Sequence, residues 1–194
     1  MRKVVLDEIL GLERYEQARE GFRRRIIDLK KHRRVSVGDR VTLVFENHDT
    51  MLFQIQEMLR AERIVDLDKV RDELDVYNAL IPDGSELSAT LLIEITESER
   101  IRDDLVRLLG IDEAVRLEVG DRFVIPGAFE PGHSKEDKLS AVQYVRFVFE
   151  EAARAAFVGS REPLRLVIDH PNYRHTATIS DAVRASLAED LAAP

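Results

Sequence analysis

The sequence predicts an α+β fold in which a mainly antiparallel or mixed sheet is covered by about five helices. Apolar residues recur at three- and four-residue intervals in several segments, and alternating segments rich in β-branched residues lie between them. Helical and strand patterns alternate in the middle of the chain, so a mixed α/β fold is the alternative. No Pro-, Gly- or Ser-rich linker divides the chain, which predicts one domain over residues 1–194.

The first predicted helix is the longest. In segment 12–31, apolar residues such as Leu12, Tyr15, Phe22 and Ile26 are spaced for one helix face, and arginines occupy the other faces. Further helices are predicted at 50–64, 66–79, 96–110 and 150–158, and after Ser180. The helix at 96–110 is predicted to open with a capping box at 96–99.

Strands are predicted between these helices. They are expected at 34–45 with a turn at Gly38, and at 87–95, 115–125, 142–149, 164–168 and 175–179. Segment 126–138 contains several glycine and proline residues and is predicted to be a mobile loop. A small ligand bound under this loop is one functional hypothesis.

Composition argues against several kinds of site, segment and partner. The chain has no cysteine, which excludes disulfides, thiolate zinc sites and an iron–sulfur cluster held by cysteine. It has no apolar run of about 18 residues and no signal-peptide core, so we expect no membrane segment and a cytoplasmic location. The net charge of -8 makes nucleic acid an unexpected partner.

Positive charge is concentrated in segment 19–34, where eight basic and two acidic residues give a local charge of +6. This surface is predicted to bind an anion or an acidic protein. The predicted binding residues are Arg23, Arg24, Arg25, Lys30, Lys31, Arg33 and Arg34. The alternative is a solvated helix face stabilised by pairs four residues apart.

A carboxylate interrupts the apolar face of the helix at 50–64. Glu62 falls within the stripe that includes Met51 and Ile55, and is predicted to face the core and to meet an arginine, a hydrogen-bond network or a metal. Gln54 and Glu57 are predicted to be solvated on the opposite face. Whether Glu46 and Glu94 converge with Glu62 is left open.

Two histidines lie at the two ends of a predicted loop at 169–174. His170 and His175, together with Asp169 or a glutamate such as Glu62, would suit iron or zinc. The alternative is a turn in which both imidazoles bond to the backbone. No phosphate-binding glycine loop, Gly-x-Ser-x-Gly elbow or His-Glu-x-x-His motif is found, so the sequence leaves open whether the chain is an enzyme.

Several segments resemble a bacterial family catalogued as domain of unknown function 3501. They are the whole segment from Arg33-Arg34-Val35 through Phe45-Glu46-Asn47, then Thr50, Gln54-Ile55-Gln56-Glu57-Met58-Leu59-Arg60, Glu62-Arg63, Tyr77-Asn78-Ala79-Leu80-Ile81-Pro82, Leu87-Ser88-Ala89-Thr90-Leu91, Ala141-Val142-Gln143-Tyr144-Val145-Arg146-Phe147 and His170-Pro171-Asn172-Tyr173. The resemblance implies that the chain is encoded near rubrerythrin-like and heterodisulfide-reductase-like iron–sulfur proteins, as members of that family tend to be.

The resemblance implies a role beside electron transfer or peroxide defence. The leading hypothesis is therefore an accessory protein that docks on an acidic, iron–sulfur or rubrerythrin-like partner through its basic helix. The second hypothesis is a metal-binding protein or metal-dependent enzyme that uses the histidines and a carboxylate.

Overall fold

A computed structural model describes residues 1–95, 101–130, 134–135 and 138–192 of the chain. Within these ranges the chain forms six α-helices, two antiparallel sheets and a short two-stranded ribbon, which confirms the predicted α+β class. The helices are α1 Leu12–Lys31, α2 His48–Glu62, α3 Leu67–Asn78, α4 Ile101–Arg107, α5 Glu151–Gly159 and α6 Asp181–Ala192. The predicted helix at 12–31 has the observed bounds of α1. The predicted capping box at 96–99 lies outside the described residues.

The strands follow the predicted alternating segments. They are β1 Arg34–Val37, β2 Val41–Phe45, β3 Glu86–Ile93, β4 Val115–Val119, β5 Phe123–Pro126, β6 Ala128–Phe129, β7 Ser134–Lys135, β8 Lys138–Leu139, β9 Val142–Val148, β10 Leu164–His170 and β11 Tyr173–Thr178. The first sheet has the order β1-β2-β3-β9-β6, the second sheet has the order β11-β10-β4-β5, and β7 pairs with β8.

The main hydrophobic core draws buried residues from both sheets. Leu43 and Leu91 of the first sheet belong to the same cluster as Leu117 and Leu166 of the second, and all four are fully buried. Helices α5 and α6 contribute Phe157 and other residues to this cluster. Burial of this apolar surface is the main stabilising contribution to such a fold.

One hydroxyl group ties the two sheets together. Tyr173 Oη, from β11, donates to Val37 O at 2.7 Å and accepts from Arg40 N at 2.9 Å and Val41 N at 3.2 Å. The turn at Gly38 has φ +76°, and a Cβ atom there would lie 2.5 Å from Tyr173 Oη. Glycine is therefore required both by the left-handed backbone and by the close approach of the tyrosine.

A second hydrophobic cluster joins α2 and α3 to the N-terminal segment. It contains Met51, Ile55 and Leu74, and Tyr144 of β9 packs against it. Strand β2 is buried along its whole length because one of its faces lies toward the main core and the other toward this helical layer. None of the helices in the described ranges has the length and apolar composition needed to cross a membrane.

The predicted loop at 126–138 contains strand structure where it is described. Residue 126 ends β5, and β6, β7 and β8 include residues 128–129, 134–135 and 138. Residues 131–133 and 136–137 of the predicted loop lie outside the described part of the chain. Its mobility therefore stays a prediction.

Candidate functional site

The two predicted metal-binding histidines have different environments. His170 is buried at the end of β10, where its Nε2 donates to Leu109 O at 2.9 Å and its Nδ1 accepts from Asn172 N at 3.2 Å. His175 is exposed on β11, and its ring centroid lies 4.4 Å from that of Tyr173. The loop between the strands is shorter than predicted, because β10 extends to His170 and β11 begins at Tyr173. Both ring nitrogens of His170 are thus used in structural hydrogen bonds.

The third predicted metal ligand does not face the core. Glu62 is the last residue of α2, and its side chain is exposed beside Glu73, whose pKa is raised by its own burial and by the charge of Glu62. The chain leaves the helix at Arg63 in a left-handed conformation. The inward position of Glu62 was wrongly predicted because the helix ends there. The described residues contain no group of three or more His, Asp or Glu side chains that could hold a metal.

Glu46, Glu62 and Glu94 do not converge. Glu94 is exposed and accepts from Thr42 Oγ1 at 3.3 Å, whereas Glu46 is only 4% exposed. Of these three carboxyl groups, Glu46 alone is buried.

The predicted basic surface is present on α1 and at the start of β1, with one exception. Arg23, Arg24, Arg25, Lys31 and Arg34 are exposed, and Lys30 is half-buried. Arg33 is 1% exposed and is not part of this surface. It lies inside the protein because a carboxylate of α6 and backbone carbonyl groups bind its guanidinium.

Arg33 and Asp190 form a buried ion pair. The Arg33 guanidinium also donates to Phe45 O at 2.9 Å, Glu46 O at 3.1 Å and Ser186 Oγ at 3.2 Å. Burial raises the pKa of Asp190, and the Arg33 charge opposes that shift. Such a pair persists in the interior because further hydrogen bonds satisfy the guanidinium.

Glu57 was predicted to be solvated, but its carboxylate forms hydrogen bonds with two side chains of α1. It accepts from Tyr15 Oη at 2.8 Å and from Arg19 Nε and Nη2 at 2.7 and 2.8 Å. The hydrogen bond from Arg19 is the main cause that lowers the pKa of Glu57 to about 2. This contact ties α1 to α2.

The strongest candidate site is a cleft of about 290 Å³ on the outer face of the first sheet, which we call the Glu46 pocket. Val44 of β2 lies opposite Thr90 of β3, which lies opposite Tyr144 of β9. Residues opposite one another in antiparallel strands point to the same face, so these three side chains form the floor. Glu46 follows Val44 by two residues and shares that face. The walls come from α2, from the C-terminal end of α3 and from the junction of α1 with β1.

The Glu46 carboxyl group is only partly satisfied. Its Oε1 accepts from Thr90 Oγ1 at 2.7 Å. Its Oε2 is buried and has no hydrogen-bond partner among the described residues. An unsatisfied buried polar group costs about 1–3 kcal/mol, and more when the group is charged. Glu46 therefore lines the cleft and also carries an acceptor atom that has no partner among the described residues.

Two phenols, those of Tyr77 and Tyr144, line the same pocket. Burial, together with the charges of Glu46 and Glu130, raises the pKa of Tyr144. Burial also raises the pKa of Tyr77, which forms a hydrogen bond with Gln54. Both phenols therefore keep their protons at neutral pH.

Lys30 and Arg34 line the same pocket, and neither forms an ion pair with a described residue.

The chain matches the family model described as Protein of unknown function (DUF3501) over residues 3–191. The chain belongs to the DUF3501 family. It is also similar to the crystal structure of a novel protein of unknown function from Burkholderia pseudomallei K96243. That similarity has a TM-score of 0.91 and 39% sequence identity, and covers 98% of this chain and 100% of the other. No curated protein matches the chain.

Several segments that carry the DUF3501 resemblance meet at the Glu46 pocket. Glu46, Tyr77, Thr90 and Tyr144 come from four of those segments and all line the cleft. Sequence reasoning left the orientation of Glu46 open and assigned no role to the other three. The orientation of Glu46 could have been predicted from the sequence, because alternation along β2 puts Val44 and Glu46 on the face opposite Leu43 and Phe45.

Proposed function

We propose that this DUF3501 protein binds a small molecule in the Glu46 pocket. The observation that supports the proposal is that Glu46, whose buried Oε2 atom has no partner among the described residues, lines a cleft of about 290 Å³. A concave site with a few polar groups among apolar and aromatic side chains is typical of small-molecule binding. A ligand that donates to Oε2 would remove the cost of the unpaired acceptor.

The test is a thermal-shift screen with a panel of neutral, cationic, anionic and zwitterionic metabolites. Wild type is compared with Glu46→Gln and with the matched control Glu94→Gln, which changes an exposed carboxylate outside the pocket. Compounds that bind in the pocket raise the melting temperature of wild type and Glu94→Gln but not of Glu46→Gln. The proposal fails if no compound stabilises wild type, or if every stabilising compound acts equally on all three proteins.

A second candidate function is docking of an acidic protein on the basic face of α1. The supporting observation is that Arg23, Arg24 and Arg25 are exposed and form no ion pair with a described residue. Complementary charge would speed association and make it dependent on salt. The resemblance to DUF3501 proteins motivates a rubrerythrin-like or other iron–sulfur partner.

This second function is tested with a purified rubrerythrin-like protein as the probe. Charge reversal of Arg23, Arg24 and Arg25 to Glu should weaken binding at least about tenfold at low salt. Reversal of Lys69 and Arg161, exposed cations outside α1, is the control. Equal binding by both variants would rule out docking through α1.

A further inference from the structure

The Glu46 pocket contains charged groups of opposite sign at different depths. Glu46 is 4% exposed, Lys30 at the end of α1 is half-buried, and Arg34 at the start of β1 is exposed. All three line the same cleft. An anion alone would be repelled by the Glu46 carboxylate, and a cation alone would be repelled by Lys30 and Arg34.

The remaining lining is largely apolar. Met51, Leu80, Leu92 and Val142 contribute aliphatic surface, and the rings of Tyr77 and Tyr144 add aromatic surface. The cleft volume of about 290 Å³ is at the lower end of ligand-binding sites, which favours a compact molecule over a nucleotide or a large cofactor.

We infer that the ligand is a small zwitterion, an α-amino acid with an apolar side chain; this inference rests on the function proposed for the pocket. Its ammonium group donates to Glu46 Oε2, which supplies the missing hydrogen bond. Its carboxylate accepts from Lys30 and Arg34 near the solvent side. Its side chain packs against the apolar and aromatic lining. Hydrogen bonds between charged groups are about twice as strong as hydrogen bonds between neutral groups. Both charged ends of the ligand therefore contribute to the selectivity for a zwitterion over a compound with only one charged group.

Two other occupants fit the cleft less well. Inorganic phosphate would pair with Lys30 and Arg34 but would place negative charge near Glu46. A bare metal ion would need several ligands, and no group of three His, Asp or Glu side chains is present in the described ranges.

The test is isothermal titration calorimetry with leucine, methionine and phenylalanine, each beside its decarboxylated amine and its N-acetyl derivative. For at least one amino acid, we expect removal of either charged group to weaken binding about tenfold or more. Glu46→Gln should weaken binding of that amino acid. The double variant Lys30→Gln/Arg34→Gln should weaken binding of the amino acid but should not weaken binding of the amine, which has no carboxylate to pair with these side chains. Far-UV circular dichroism verifies the fold, and Arg34→Gln alone replaces the double variant if the latter does not fold.

The outcomes separate the ligand class from the site. The zwitterion inference is overturned if the amines bind as tightly as the amino acids and the double variant binds the amino acids as tightly as wild type does. The proposal that the pocket binds a small molecule is then retained. If none of these compounds binds but another member of the thermal-shift panel does so in a Glu46-dependent manner, the same conclusion follows. If nothing binds in either experiment, the inference and the proposed function both fall.

Discussion

Arg33 and Asp190 lie 157 positions apart in the chain and form an ion pair in which both side chains are almost completely buried. The pair connects the residue before β1 to the last turn of α6, so it joins the N-terminal half of the chain to its C-terminal helix. The carbonyl groups of Phe45 and Glu46 also accept from Arg33, which fixes the backbone at the base of the Glu46 pocket.

Removing one member of this pair should be strongly destabilising. We expect Arg33→Met and Asp190→Leu each to lower the free energy of unfolding by about 3–5 kcal/mol, because the remaining group stays buried without its partner. The double variant Arg33→Met/Asp190→Leu should lose less than the sum of the single losses. Urea denaturation measures all three. Single losses below about 1 kcal/mol would contradict a structural role for the pair.

Replacing Glu46 should affect binding without damaging the fold. Glu46→Gln is expected to raise the unfolding free energy of the ligand-free protein by about 1 kcal/mol, because a buried amide costs less than a buried carboxylate. For a chain of this size that corresponds to a rise of about 2–4 °C in melting temperature. Differential scanning calorimetry checks this. A loss of several degrees would mean that Glu46 serves the fold.

The Glu57 contact predicts a dependence of stability on pH. The pKa of Glu57 is lowered from its ordinary value of 4.5 to about 2 in the folded protein, chiefly by the hydrogen bond from Arg19. Its contribution is therefore fully present above about pH 4.5 and is lost as the pH falls toward 2. In urea denaturation from pH 7 to pH 2, wild type should lose more stability over this window than Glu57→Gln. Parallel curves would contradict the assignment.

The two histidines should differ in their effect on stability. His170→Ala removes two hydrogen bonds of a buried ring and should cost about 2–3 kcal/mol. His175→Ala changes an exposed ring and should cost about 0.5 kcal/mol or less. Urea denaturation is performed with EDTA and again with added zinc. If zinc stabilised wild type and lost this effect in either variant, the metal-site hypothesis would replace this structural account.

Local patterns predicted most of the elements but not the site. The apolar spacing of 12–31 and the alternation around Gly38 depend on neighbours in sequence, so α1, β1 and β2 were predicted correctly. The position of Arg33 could not be predicted, because its partner Asp190 comes from the far end of the chain. Glu62 was predicted on the apolar stripe from helical period alone, which does not reveal where the helix ends.

The Glu46 pocket depends on three strands in register and on the helices that cover them. Val44, Thr90 and Tyr144 are separated by 46 and 54 positions in sequence, and only the strand pairing aligns them. A single sequence provides no direct information on that pairing. The α+β class could therefore be predicted, whereas the site required the sheet order.

Methionine-methyl NMR is the most direct measurement of whether the Glu46 pocket binds a small molecule. The chain has three methionines, of which Met51 lines the pocket and Met58, also on α2, does not. Titration of ¹³C-methyl-methionine protein with the compounds of the thermal-shift panel should shift the Met51 resonance and leave Met58 unchanged. The same titration of Glu46→Gln should leave both unchanged. If no compound shifts Met51, or if Met51 shifts equally in Glu46→Gln, the pocket is not the binding site.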